Sequence, residues 1–269
     1  MILNTKEKIN FLKALPEYSE IRLNQINNKI NSTNDLQLHI ILQIGIAMNH
    51  YVKSLVTSLE TANILAANVL FRSMVESFIN IEYIMQDESP LRSIAYLFLD
   101  FKTQQINIET FKELIEKDPN QANLIPELST IEKCNEQLNK LEHEKSIILK
   151  TLKTDFKIEV NSEDLNFLTL EQRANKINLR NLYNVLYRYL CGISHMSASG
   201  LKELIKFEND RYLIATIDTE EEIHKILTIA YDIYLLSIKD LFMKFDIYIE
   251  KDFKIMEEIS EKLKSKNTK

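Results

Sequence analysis

The chain has 269 residues, with 33 Lys and Arg against 39 Asp and Glu, for a formal charge of -6. Three Gly and four Pro are too few to punctuate a turn-rich all-β or doubly wound α/β architecture, so helices are what remains. The acidic balance excludes indiscriminate polyanion binding, which needs Lys and Arg to neutralise phosphates, and Cys134 and Cys191, far apart and without metal-ligand spacing, give neither a disulfide framework nor a zinc site.

In chain order, residues 1–15 read as a short amphipathic helix stopped by Pro16, and 17–30 as another. Together they form an N-terminal helical arm, 1–34, ending in an Asn-Ser-Thr-Asn stretch. Lys6, Glu7, Lys8 and Lys13 interrupt any export signal, and no uncharged run of 18 residues follows, so a cytoplasmic protein without a membrane span is expected. A helix over 35–58 precedes one over 61–86 that is apolar on nearly every side and should be central. Residues 91–117 make a third long helix, closed by Asp118 and Pro119, and 126–153 a polar fourth with a thin apolar stripe, expected to project as a helical hairpin.

Residues 154–169 lack helical period, and 170–197 return to helix with a break near Asn178. Two β-prone runs, 206–208 and 211–217, allow a small β-hairpin, and helices occupy 219–245 and 251 to the end. The expected fold is all-α, a multi-helix bundle with long antiparallel helices. Its main body spans 35–250, with 118–170 as an inserted helix and loop, and 251–269 is a charged C-terminal helix.

Two constellations carry chemistry. On the central helix Asn68, Arg72, Glu76 and Asn80 recur at steps of four, a polar stripe on an apolar rod. Arg72 and Glu76 can pair across one turn as a buried register-fixing ion pair, or the stripe can support a site with Arg as a phosphate fork. Nearer the C-terminus, Tyr187, Arg188, Cys191, Gly192, Ser194 and His195 share a helix whose Leu182, Leu186, Leu190 and Ile193 face the core.

Arg188 and His195 are two turns apart, so they share a face over ~10 Å of axial rise. His can exchange a proton near neutral pH and Arg can hold a phosphate, which together suit metal-free RNA cleavage by the 2′-hydroxyl. Residues 171–206 hold a surplus of four positive charges, and Arg173, Lys176, Arg180 and Arg188 can form a basic edge leading to His195 if the break near Asn178 is mild. Glu221 with His224 is half of a di-iron carboxylate motif, without a second Glu-x-x-His pair to complete it. No cofactor or metal is expected.

These residues resemble a known family. Residues 68–83, with Arg72, Glu76 and Tyr83, then 92–101 and the run from Tyr187 to His195, are similar to bacterial domain-of-unknown-function family 5677, over roughly 36–241. Its last motif looks like Tyr-Arg-x-Leu-Ser-x-x-Val-His, matched by Tyr187, Arg188, Leu190 and His195. Cys191 stands where the family often has Ser, and Ser194 where it often has an aliphatic residue.

The Arg-to-His spacing is also similar to the signature of the HEPN (higher eukaryotes and prokaryotes nucleotide-binding) superfamily, helical bundles many of which are metal-independent ribonucleases of toxin-antitoxin and antiviral systems. That resemblance implies a homodimer with a composite site, RNA as substrate and a partner protein such as an antitoxin. Arg188 and His195 would be catalytic, with Tyr187, Ser194, Arg72, Glu76 and Asn68 supporting. The alternative is a non-catalytic helical interaction or regulatory protein in which Arg188 and His195 are structural.

Overall fold

A computed structural model describes residues 5–30, 35–161, 165, 167–194, 205–208, 211–214 and 219–264. The fold is all-α and multi-helix, with one short two-stranded ladder. The chain divides into two compact units, residues 87–168 and the remainder.

The larger unit starts with α1, Thr5–Ile30, one helix where Pro16 was expected to end the first of two. A proline inside a helix removes one backbone hydrogen bond and crowds the preceding turn, at about 3 kcal/mol. Packing outweighs that cost. Leu12, Leu15, Ser19, Leu23, Ile26 and Ile30 continue one stripe across the proline, none more than 4% exposed, and Ser19 donates to the Leu15 carbonyl at 2.8 Å. The stripe packs on α2, Leu36–Glu60, and α8, Thr219–Lys244. At Gly45 a Cβ would stand 2.7 Å from Leu241 Cδ1, the end of a side chain on α8 that would have to shift to admit it.

The centre is α3, Ile64–Met85, capped by the Asn63 side chain on the Ala66 N–H. By length and composition it could cross a membrane. Here it packs against α2 and α8, and against the helical segments over 170–176 and 188–194. Phe71, Met74, Val75, Ile79, Ile81 and Ile84 are at most 1% exposed, each burial contributing roughly 1.5–3 kcal/mol. The last helix, α9, Glu250–Lys264, seats Phe253 and Leu263 on α8. Strands β1, Ile205–Glu208, and β2, Arg211–Ile214, pair antiparallel with Glu208 opposite Arg211.

The smaller unit holds α4, Leu91–Lys117, and α5, Ile131–Asp155, joined through short 3-10 turns that begin at Pro119 and Pro126. Asp118 caps the first turn by accepting from the Asn120 N–H, and Thr130 caps α5 by accepting from the Lys133 N–H. Only Cys134, Leu141 and Leu152 of α5 are buried, the thin stripe its composition implies. On α4 Phe98 and Phe101 meet edge to face at 5.7 Å.

Candidate functional site

Helix α6, Leu170–Lys176, opens with a capping box between Thr169 and Gln172. Asn178 ends it in the left-handed region, at φ 60, and the Leu179 N–H closes the turn on the Ala174 carbonyl at 2.8 Å. The expected break is thus sharp, and helix resumes beyond it in a wider form. Leu182–Tyr187 is π-helical, with the Arg188 N–H bonded to the Tyr183 carbonyl five residues back, and it runs into α7, Arg188–Ser194.

Such π-turns accommodate an extra residue and rotate the helix beyond them out of phase. Of the four apolar residues expected to face the core, Leu190 alone is fully buried, while Tyr187 is buried beside it and Val185 and Tyr189 are 73% and 43% exposed.

This segment lies along the polar stripe of α3. Asn80 and Arg173, both 5% exposed, are hydrogen bonded to each other, the guanidinium donating to Asn80 Oδ1. Arg173 therefore points inward and leaves the expected basic edge, whose Lys176, Arg180 and Arg188 are exposed. One turn earlier on α3, the expected direct ion pair between Arg72 and Glu76 is replaced by a bridge. Arg72 Nη2 donates to Tyr187 Oη at 3.4 Å, and Tyr187 Oη donates to Glu76 Oε2 at 3.2 Å.

Burial pushes the Tyr187 phenol up to about 12, the Glu76 carboxylate adding to the effect and Arg72 opposing it. The phenol keeps its proton at neutral pH and can serve both neighbours. The bond to Tyr187 in turn holds the Arg72 guanidinium above its ordinary value, against burial. Arg72 Nε is buried without a hydrogen-bond partner among the described residues.

From this bridge an aromatic and cationic stack leads outward. Tyr187 and Tyr183 are stacked, 5.2 Å between centroids and 20° between planes, as residues four apart on the π-turn. The Arg72 guanidinium lies 5.5 Å from the Tyr187 ring and that of Arg188 5.7 Å from the Tyr183 ring. Arg188 is the exposed end, with its Nη2 3.5 Å from Glu171 Oε2 of α6.

Arg72, Glu76 and Tyr187 are brought together and packed, Arg188 lies at the surface beside them, and Asn68 is buried in α3. The Ser194 hydroxyl donates to the Leu190 carbonyl of its own helix at 2.8 Å, so its hydrogen bond stays local. His195 lies outside the described residues.

Sequence reasoning missed Tyr183, for which the four-residue spacing to Tyr187 was a usable signal, and Glu171, for which no signal existed. The di-iron pairing does not converge. Lys8 Nζ lies 3.0 Å from His224 Nδ1, and Glu221 pairs with Lys225 at 2.9 Å. Among the described residues no three His, Cys, Asp or Glu side chains cluster as metal ligands. Surface grooves of about 530 Å³ between α8 and α9 and about 260 Å³ between α1 and α9 involve none of the residues of the stack.

Fold and site together define an all-helical protein with an arginine-tyrosine cluster between a central helix and a π-bulged one. Residues 38–212 match a family of unknown function, DUF5677, and the chain belongs to that family. No curated protein and no solved structure matches the chain.

Proposed function

We propose that the protein is a metal-independent, HEPN-like ribonuclease of a bacterial defence or toxin-antitoxin system, acting in the cytosol as a homodimer held in check by a partner protein. The observation that carries this reading is the exposed Arg188 guanidinium, set over an aromatic stack at the start of the helix that leads to His195. Arg188 would bind the scissile phosphate. His195 would take the proton from the 2′-hydroxyl as that oxygen attacks phosphorus, and the imidazolium would return a proton to the departing 5′-oxygen, giving a 2′,3′-cyclic phosphate and a 5′-hydroxyl. With its high pKa Tyr187 is no proton acceptor at neutral pH; it fixes Arg72 and Glu76 beneath the site.

The test is incubation of purified protein with total RNA and tRNA in EDTA. Wild type should cleave and leave cyclic phosphate ends, and His195→Ala and Arg188→Ala should each lose activity by about 10²- to 10⁴-fold, the range of a lost general acid-base or phosphate-binding group. Cleavage unchanged in both variants would sink the assignment of the site.

A second reading is a helical interaction protein. It is favoured by the way Arg72, Glu76 and Asn80 are used up in packing against Tyr187 and Arg173. RNA left intact by every variant, with harmless expression in cells, would select it.

A further inference from the structure

Glu171, on the first turn of α6, is the acidic partner of Arg188, and their side chains are 43% and 60% exposed. An ion pair so open to water holds weakly and exchanges readily. The Arg188 guanidinium lies over the ring of Tyr183, 5.7 Å from its centroid, and Tyr183 stacks on the anchored Tyr187. A planar fork held against an aromatic face loses less rotamer freedom when it grips a pair of oxygens. A carboxylate and a phosphodiester offer that fork the same thing, two oxygens sharing one negative charge.

We propose that Glu171 is a built-in occupant of the Arg188 oxyanion site, standing where a phosphodiester of single-stranded RNA binds, so that RNA must displace it. The proposal rests on the reading of Arg188 as the phosphate-binding residue and adds a brake to it. An unpaired strand is favoured over a duplex by the neighbours of Arg188. Exposed Val185 on the same segment offers apolar surface for an unstacked base, whereas a duplex would need a longer row of cations than the exposed Lys176, Arg180 and Arg188 supply.

Binding can be read apart from cleavage with a fluorescein-labelled 2′-O-methyl oligouridylate, which lacks the attacking hydroxyl, by fluorescence anisotropy on wild type, Glu171→Gln, Arg188→Ala and the double variant. Glu171→Gln should tighten binding about two- to fivefold, the scale of an exposed ion pair released. Arg188→Ala should weaken it and lower the salt slope by about one, and Glu171→Gln should then bring no gain in the Arg188→Ala background. An unchanged affinity in Glu171→Gln, an equal gain in both backgrounds, or no binding by any of the four proteins overturns the proposal.

Cleavage of unmodified RNA by the same proteins separates the two claims. An Arg188-dependent gain in affinity without cleavage keeps Glu171 as the occupant and removes the nuclease, whereas Arg188-dependent cleavage with no Glu171 effect does the reverse.

Discussion

Two arginines on neighbouring helices, Arg173 of α6 and Arg188 of α7, show how one side-chain type serves two ends. Arg173 is buried against Asn80 of the central helix, where a guanidinium without an acceptor would carry a large desolvation cost, so its partner is fixed. Arg188 holds Glu171 in water, where breaking the pair costs little and another anion can take its place. Tyr187 stands between these cases, half in the core and half in the stack that reaches Arg188. Exposure and weak pairing, more than charge itself, mark the arginine fit to bind a ligand.

The contrast between the two arginines breaks most readily at its buried end. Asn80→Ala removes one acceptor of a buried guanidinium and should cost about 2–3 kcal/mol of stability, measured by urea denaturation. A cost below 0.5 kcal/mol, on the order of a surface change, would show that Arg173 is not held by that bond.

Tyr187→Phe keeps the stacked ring and deletes the hydroxyl between Arg72 and Glu76. The expected loss is about 1–2 kcal/mol, as for hydrogen bonds to partly buried charged groups. Circular dichroism should show the helical content unchanged, and a loss of helix instead would mean that the hydroxyl holds the π-turn itself.

The same central helix carries a titrating contact. Burial, with Asp240 of α8 beside it, pushes the Glu82 carboxyl up to about 8, and Asp240 is also raised, chiefly by burial, so Glu82 carries its proton near neutral pH. The folded state then binds a proton that the unfolded chain releases. This contribution is complete below the ordinary carboxylate range, is lost as pH rises toward and through about 8, and is constant above that. Thermal melts should therefore fall over this window by an amount on the order of 1–2 kcal/mol after allowance for partial exposure. Glu82→Gln should flatten the dependence and be the more stable protein at pH 9; an unaltered profile in that variant would exclude Glu82 as the titrating group.

The smallest effect is expected at the exposed end, where Arg188→Ala and Glu171→Gln should each shift stability by less than about 0.5 kcal/mol. A larger loss would place Arg188 among the structural residues and favour the interaction-protein reading.

Much of the helical frame was legible. Residues 91–117 form the expected helix, and the 219–245 helix is displaced by one residue at its end, because long periodic segments with capping and stop residues are decided locally. Pro16 misled, since a local breaker was overruled by a buried stripe that continues across it. The π-turn at 182–187 also escaped, because an extra residue in a helix leaves no mark in a periodic pattern and shows only as the wrong residues facing inward. In the site, Arg72, Glu76 and Tyr187 were readable as polar interruptions of apolar helices. Their true arrangement, a phenol between two charges instead of an ion pair, was not.

Composition, with spacings of three and four residues, was enough for the class of fold and for the polar stripe on α3. Tertiary packing alone settled which arginine is buried and which can exchange its partner, and that Glu171 faces Arg188. Those outcomes depend on contacts such as Arg173 with Asn80 and Tyr187 with Glu76, which lie 93 and 111 positions apart in the chain. No local pattern encodes such pairings, because burial is a property of what the whole chain packs against a side chain and not of its neighbours in sequence.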